Sequence, residues 1–240
     1  MSAPPAPPPL PLRLLYAGYA WPAFLLQAMV ALLLLLLLPR LAQRRRLVRW
    51  VARNALRSIG MRIDIHGFEA LPHPCVVVAN HESYLDGVVL AATLPPHFGF
   101  VIKREMRNMP AAGWLLERIG AQFVARNNSS GSARDALRVL RSAANGEALA
   151  FFPEGTFKPQ PGLLPFHNGA FTAAVRAGLP VVPLVLRGTR RRLPPGTLLP
   201  WPGRISITAL NPIAATHRQS DVGALRDATR ALFIEQLKVR

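Results

Sequence analysis

Between Leu14 and Leu38 the chain carries no charged side chain, and this run ends in seven consecutive leucines, Leu32 to Leu38. As a helix the run would measure roughly 37 Å at about 1.5 Å per residue, enough to cross the hydrocarbon of a bilayer. Pro22 interrupts it and also allows a kinked segment that enters and leaves one leaflet. A secretory signal peptide is the competing reading. Pro39-Arg40 follows where a small-x-small cleavage site would stand, so an uncleaved anchor is expected.

What flanks this run fixes the rest of the N-terminal organisation. Residues 1–13 hold six prolines and read as a disordered or polyproline-like arm. Arg40, Arg44, Arg45, Arg46, Arg49, Arg53 and Arg57 follow the run, and the first acidic residue of the chain is Asp64. By the positive-inside rule, residues 40 onward are expected on the cytoplasmic side of a cell inner membrane. Leu41, Leu47, Val48, Val51 and Leu56 alternate with the arginines, which suggests a basic helix on anionic lipid head groups; a topology signal alone is the other reading. The net charge of +17 also fits a nucleic-acid binder, but about half the excess lies before Asp64 and no nucleic-acid motif is present. Membrane lipid is the expected partner, and nucleic acid is not.

The expected organisation is therefore the arm at 1–13, an anchor plus interfacial helix at 14–59, and a catalytic domain at 60–240. Past residue 60, runs rich in Val, Ile and Phe alternate with helical patterns, the signature of an α/β fold with a central sheet flanked by helices. Strands are expected at 61–67, 75–79, 98–103, 121–125, 148–152, 181–186 and 204–209. Packing helices are expected over 133–144, 170–177 and 220–238. Cys75 is the single cysteine, which excludes an internal disulfide and argues against structural zinc. The abundance of Ala, Arg, Leu and Pro suggests a GC-rich bacterial gene.

Chemistry concentrates behind the second expected strand, in Asn80-His81-Glu82-Ser83-Tyr84-Leu85-Asp86-Gly87. A histidine acting as a base needs a partner that fixes its tautomer and stabilises its charged form, and Asp86 is the candidate. Helix positions five apart diverge by about 140°. The pair therefore meets only if His81 lies on a loop and Asp86 in the first helical turn. Ser83 and Asp86 equally form a capping-box pattern, in which the carboxylate merely holds the helix start. The spacing alone supports both.

Four further segments follow in order: Val101-Ile102-Lys103-Arg104-Glu105-Met106, Gly120-Ala121-Gln122-Phe123-Val124-Ala125-Arg126, Phe152-Pro153-Glu154-Gly155-Thr156 and Val182-Pro183-Leu184. The ordered set resembles the lysophosphatidic acid acyltransferase family of glycerolipid acyltransferases, over most of residues 60–210. The resemblance implies a glycerolipid acyltransferase-like fold with a central mixed sheet. It also implies transfer of a fatty acyl chain from acyl-CoA or acyl carrier protein to a lysophospholipid acceptor, first of all 1-acyl-glycerol-3-phosphate. His81 and Asp86 match the catalytic His-x4-Asp signature. Lys103, Arg126, Glu154, Gly155 and Thr156 take on acceptor binding, with Arg126 and Lys103 on phosphate. Gly155 is a candidate to offer backbone N–H groups to an anion, and Glu154 to bind an acceptor hydroxyl or brace Arg126. No cofactor or metal is implied, the acyl thioester being a co-substrate.

One position departs from the family pattern. Many relatives carry Arg-Ser after Phe-Pro-Glu-Gly-Thr, whereas this chain has Phe157-Lys158. Either Lys158 stands in for the missing cation, or the acceptor carries another head group, as in lyso-ornithine lipid or another lysophospholipid. No Gly-x-Ser-x-Gly elbow occurs, so direct transfer without an acyl-serine is expected. A non-catalytic membrane-surface protein is the alternative of another class; a metal hydrolase lacks ligands at suitable spacing.

Overall fold

The computed structural model describes residues 8–125, 132–215 and 221–238. Two helices, α1 (Leu10–Leu37) and α2 (Leu41–Ser58), precede an alternating α/β region. Its strands are β1 (Met61–His66), β2 (Val76–Ala79), β3 (Gly99–Lys103), β4 (Gln122–Val124), β5 (Leu149–Phe151), β6 (Val181–Arg187) and β7 (Gly203–Ala209). Its helices are α3 (Leu85–Thr93), α4 (Ala112–Arg118), α5 (Ser132–Ala144), α6 (Gly169–Ala177), α7 (Thr189–Arg192) and α8 (Val222–Lys238). All seven expected strands form, because short Val- and Ile-rich runs buried on both faces suit a mostly parallel sheet.

The sheet order is β1-β7-β6-β2-β5-β3-β4. Every neighbouring pair is parallel except β6 with β7, so the sheet is mixed. In β2 all four residues are buried, with Val77 and Ala79 facing one core and Val76 and Val78 the other. Leu56, Met61, Leu90 and Phe98 fill the first core, and Phe171, Val175 and Phe233 the second. Because β2, β5, β3 and β4 run parallel, the segments that leave them emerge along one edge of the sheet, the usual place for a site in an open α/β fold.

The N-terminal helices depart from expectation in three ways. First, α1 begins at Leu10, inside the stretch assigned to the arm; Pro9 precedes it and Pro11 sits in its first turn, where proline's fixed φ and missing N–H suit a helix. Residues 1–7 of the arm lie outside the described residues. Second, the hairpin is not a separate unit: Ala20, Leu56 and Ile59 belong to the same core as β2 and α3. Third, most of the α2 arginines point inward. Arg44 donates to the carbonyls of Leu38 and Arg118, Arg45 to those of Ile119 and His97 and to Glu147, Arg49 to Thr93 and Arg53 to Ala92. Of these carbonyls, those of Ala92 and Thr93 end α3 and those of Arg118 and Ile119 end α4, where backbone carbonyls lack partners within their own helix. Arg40, Arg46 and Arg57 remain exposed.

Candidate active site

Strand β2 ends at Ala79, and the next side chain continues its ladder. The Asn80 amide donates to Leu186 O at 3.0 Å and accepts from Leu186 N at 2.7 Å, stitching the strand exit to β6. His81 follows on the loop, and Asp86 lies in the first turn of α3. Their side chains meet, His81 Nδ1 to Asp86 Oδ2, at 2.8 Å. Asp86 is fully buried, and the same oxygen accepts the N–H groups of Glu82 at 2.6 Å and Ser83 at 2.8 Å. One carboxylate thus holds the imidazole and the helix start together, so the two readings of the spacing coexist. The Ser83 hydroxyl donates to Leu193 O, which pins the turn from the far side. With Nδ1 committed, Nε2 is the ring nitrogen left to meet a substrate, and the His81 side chain retains 17% exposure.

Glu154 reaches this loop from the end of β5. It is buried; Oε1 accepts the backbone N–H of His81 at 2.7 Å and Oε2 that of Leu164 at 2.7 Å. Burial pushes its carboxyl up to about 7, the bonds from Leu164 and His81 oppose the rise, and the nearby charges of Glu82 and Asp86 add to it. Both oxygens are engaged by backbone amides, where a hydroxyl ligand or a brace for Arg126 was expected; Arg126 itself lies outside the described residues. Gly155 also differs from expectation. Its φ of 71° is readily adopted by glycine, and its N–H turns inward to Phe152 O at 3.0 Å instead of facing an anion. Thr156 is exposed.

The turn from Phe152 to Gly155 brings two aromatic rings onto the histidine. Phe152 stacks on His81 with centroids 4.1 Å apart, and Phe157 meets it edge-on at 4.6 Å. Tyr84 packs against Phe157 at 4.9 Å and also lines an apolar cavity of about 150 Å³, with Trp21, Phe24, Met61, Val88 and Leu193 among its other walls. Of these contacts, Phe152 was legible only as a motif letter and Asn80 only as a strand-end polar residue.

The expected phosphate contacts are less assembled. Lys103 ends β3 beside Val124 of β4, is half-exposed and pairs with Glu105 at 3.6 Å. Arg126 lies outside the described residues. Its neighbour Ala125 donates its N–H to Asp135 at 3.2 Å, and Asp135 also binds Arg104 and Arg138. Helix α5, read as packing alone, therefore supplies the carboxylate that holds the chain next to Arg126. Lys158 is exposed. Among the described residues no cluster of His, Cys, Asp and Glu suits a metal ion.

A chloroplast 1-acyl-sn-glycerol-3-phosphate acyltransferase of Brassica napus is 35% identical over 139 residues, 57% of this chain and 40% of that protein. A lyso-ornithine lipid O-acyltransferase of Pseudomonas aeruginosa is 34% identical over 151 residues, 63% of this chain and 57% of that protein. The chain thus spans between two fifths and three fifths of these two relatives. The crystal structure of a 1-acyl-sn-glycerophosphate acyltransferase, PlsC, from Thermotoga maritima shares the fold, with a TM-score of 0.73 over 95% of this chain and 96% of that one at 22% identity. The sequence pattern of the Acyltransferase family matches residues 62–187, from β1 through β6 and across His81, Asp86 and Glu154, and the chain belongs to that family.

Proposed function

We propose that this protein acylates a lysolipid at the membrane surface, taking the acyl group from acyl-CoA or acyl carrier protein, with 1-acyl-glycerol-3-phosphate as first acceptor and phosphatidic acid as product. The 2.8 Å bond between His81 and Asp86, with Nε2 left open, is the observation that carries most of this. His81 Nε2 takes the proton of the acceptor hydroxyl as its oxygen attacks the thioester carbonyl. The Asp86 carboxylate steadies the imidazolium, and the proton passes to the departing thiolate as the C–S bond breaks. Glu154 fixes the backbone from which His81 projects. Lys103 and Arg126 hold the acceptor phosphate, and the cavity beside Tyr84 receives hydrocarbon.

Membrane attachment is through one leaflet. Helix α1 is tied along most of its length to α2 and to the catalytic part: Tyr16 and Tyr19 donate to Ile59 O and Ser58 O and Gln27 to Ser58 at the end of α2, whereas Trp21 donates to Leu198 O and Leu35 O accepts from Arg118 in the catalytic part. A helix bound to one body near both ends supports a place along the membrane surface over a path through about 30 Å of hydrocarbon away from that body. Its exposed Leu15, Leu26, Leu33 and Leu37 instead give it a face for the acyl layer.

Purified protein in detergent, given labelled acyl-CoA or acyl carrier protein and a panel including 1-acyl-glycerol-3-phosphate and lyso-ornithine lipid, tests the assignment. A radiolabelled diacyl product is expected, and His81→Ala, with its fold checked by circular dichroism, should lower turnover by roughly 10²- to 10⁴-fold. Near-normal turnover in that variant would remove His81 as the base.

A further inference from the structure

A base that activates a lipid hydroxyl beside a bound thioester also activates water, and water is always in excess. If water reaches His81, its O–H proton passes to Nε2, its oxygen bonds to the carbonyl carbon, the C–S bond breaks and the thiolate takes the proton. Fatty acid and free thiol leave, and the acyl group is lost. The site therefore needs something that keeps water from the base while a flexible lipid approaches.

We infer that Phe157 is that element: a shielding and positioning residue that suppresses thioester hydrolysis in favour of transfer, in the reaction proposed above. Three observations meet on this side chain. Its ring contacts His81 at 4.6 Å and Tyr84 at 4.9 Å, closing the gap between the imidazole and the wall of the apolar cavity. Phe152 stacks on His81 at 4.1 Å and Asp86 occupies Nδ1, and the Phe157 ring adds an edge-on apolar contact beside them. Moreover, the backbone immediately beyond Phe157 is held in place, since Arg190 donates to the carbonyls of Pro159 at 2.8 Å, Lys158 at 3.0 Å and Gln160 at 3.4 Å. A hydrophobic ring fixed at this point admits an acyl lipid and excludes water, which a cation or small polar side chain would not.

The test is a series of Phe157→Leu, Phe157→Val and Phe157→Ala in detergent. Thiol release from acyl-CoA is measured without acceptor, and diacyl product with it. The ratio of hydrolysis to transfer should rise as side-chain volume falls, by roughly tenfold or more for Phe157→Ala and little for Phe157→Leu. Arg190→Gln, which frees the loop without touching the rings, should raise the ratio in the same direction. Thermal midpoints close to wild type establish that the variants are folded, and Phe157→Val together with Arg190→Gln serves if Ala does not fold. A ratio that stays flat across the series, or hydrolysis and transfer falling together, overturns the shielding role. Failure of the underlying reading looks different: wild type would give no acyl transfer to any lysolipid.

Discussion

Glu154 accepts the backbone N–H of His81 at 2.7 Å, so the carboxylate of the Phe-Pro-Glu-Gly-Thr segment supports the candidate base from beneath. Its other oxygen holds Leu164, and the buried carboxylate thereby ties the β2 exit to the loop after β5. Glutamine at this position offers one acceptor where two N–H groups converge. We expect Glu154→Gln to cost about 1–3 kcal/mol of stability and to lower kcat more than it raises acceptor KM. An acceptor KM that rises alone would indicate direct contact with substrate instead.

The same residue makes a pH prediction. Burial lifts its carboxyl from 4.5 to about 7, so the folded protein keeps a proton there that the unfolded chain releases. Stability from this group is full below pH 4.5 and is lost as pH rises through about 7, an effect of about 3 kcal/mol for a shift of this size. Thermal midpoints of wild type and Glu154→Gln in detergent, compared at pH 5 and pH 8, should show wild type losing ground to the variant as pH rises. A constant difference contradicts the assignment.

Asp86 serves the imidazole and the helix start at once. Asp86→Asn keeps a side-chain oxygen but removes the charge that stabilises imidazolium, and should reduce kcat by roughly 10²-fold or more with a modest fall in melting temperature. Asp86→Ala strips the acceptor from the partly buried Glu82 and buried Ser83 amides as well and should cost about 3 kcal/mol. Equal melting temperatures for the two variants would show that the amide bonds contribute little.

Arg45 and Arg46 are neighbours with opposite surroundings. The Arg45 guanidinium is buried on two carbonyls and Glu147, whereas Arg46 is exposed. Arg45→Ala should lose about 2–4 kcal/mol of stability. Arg46→Ala should melt like wild type and bind phosphatidylglycerol vesicles less tightly in flotation assays, an effect that salt abolishes. Equal melting temperatures would contradict the inward role of Arg45.

For Asp135, which holds Ala125 beside Arg126, Asp135→Asn should raise the KM for a phosphorylated acceptor several-fold and leave acyl-CoA hydrolysis unchanged. No change in acceptor KM would reduce Asp135 to a purely local ion-pair centre.

Much of this protein was legible in its sequence because local patterns determine it. Short β-branched runs and the helical spacing after each are set by burial and backbone sterics, so the seven strands, α5, α6 and α8 fall where periodicity puts them. The His81–Asp86 spacing allowed either a helix cap or an oriented base, and the folded turn combines the two on one carboxylate. The arginines of α2 looked lipid-facing because charge density records only that guanidinium groups exist. Which of them turn inward depends on where α3 and α4 end, elements that lie about forty to eighty residues away in sequence. Phe157 and Glu154 have the same character: sequence named them, and the parallel neighbours β2 and β5 brought one ring onto His81 and one carboxylate beneath it. Local sequence determined the strands, the apolar helix and the His-Asp pair, because each depends on neighbouring residues. Tertiary structure alone decided what surrounds that pair, since hydrogen-bond partners across a sheet are chosen by strand order.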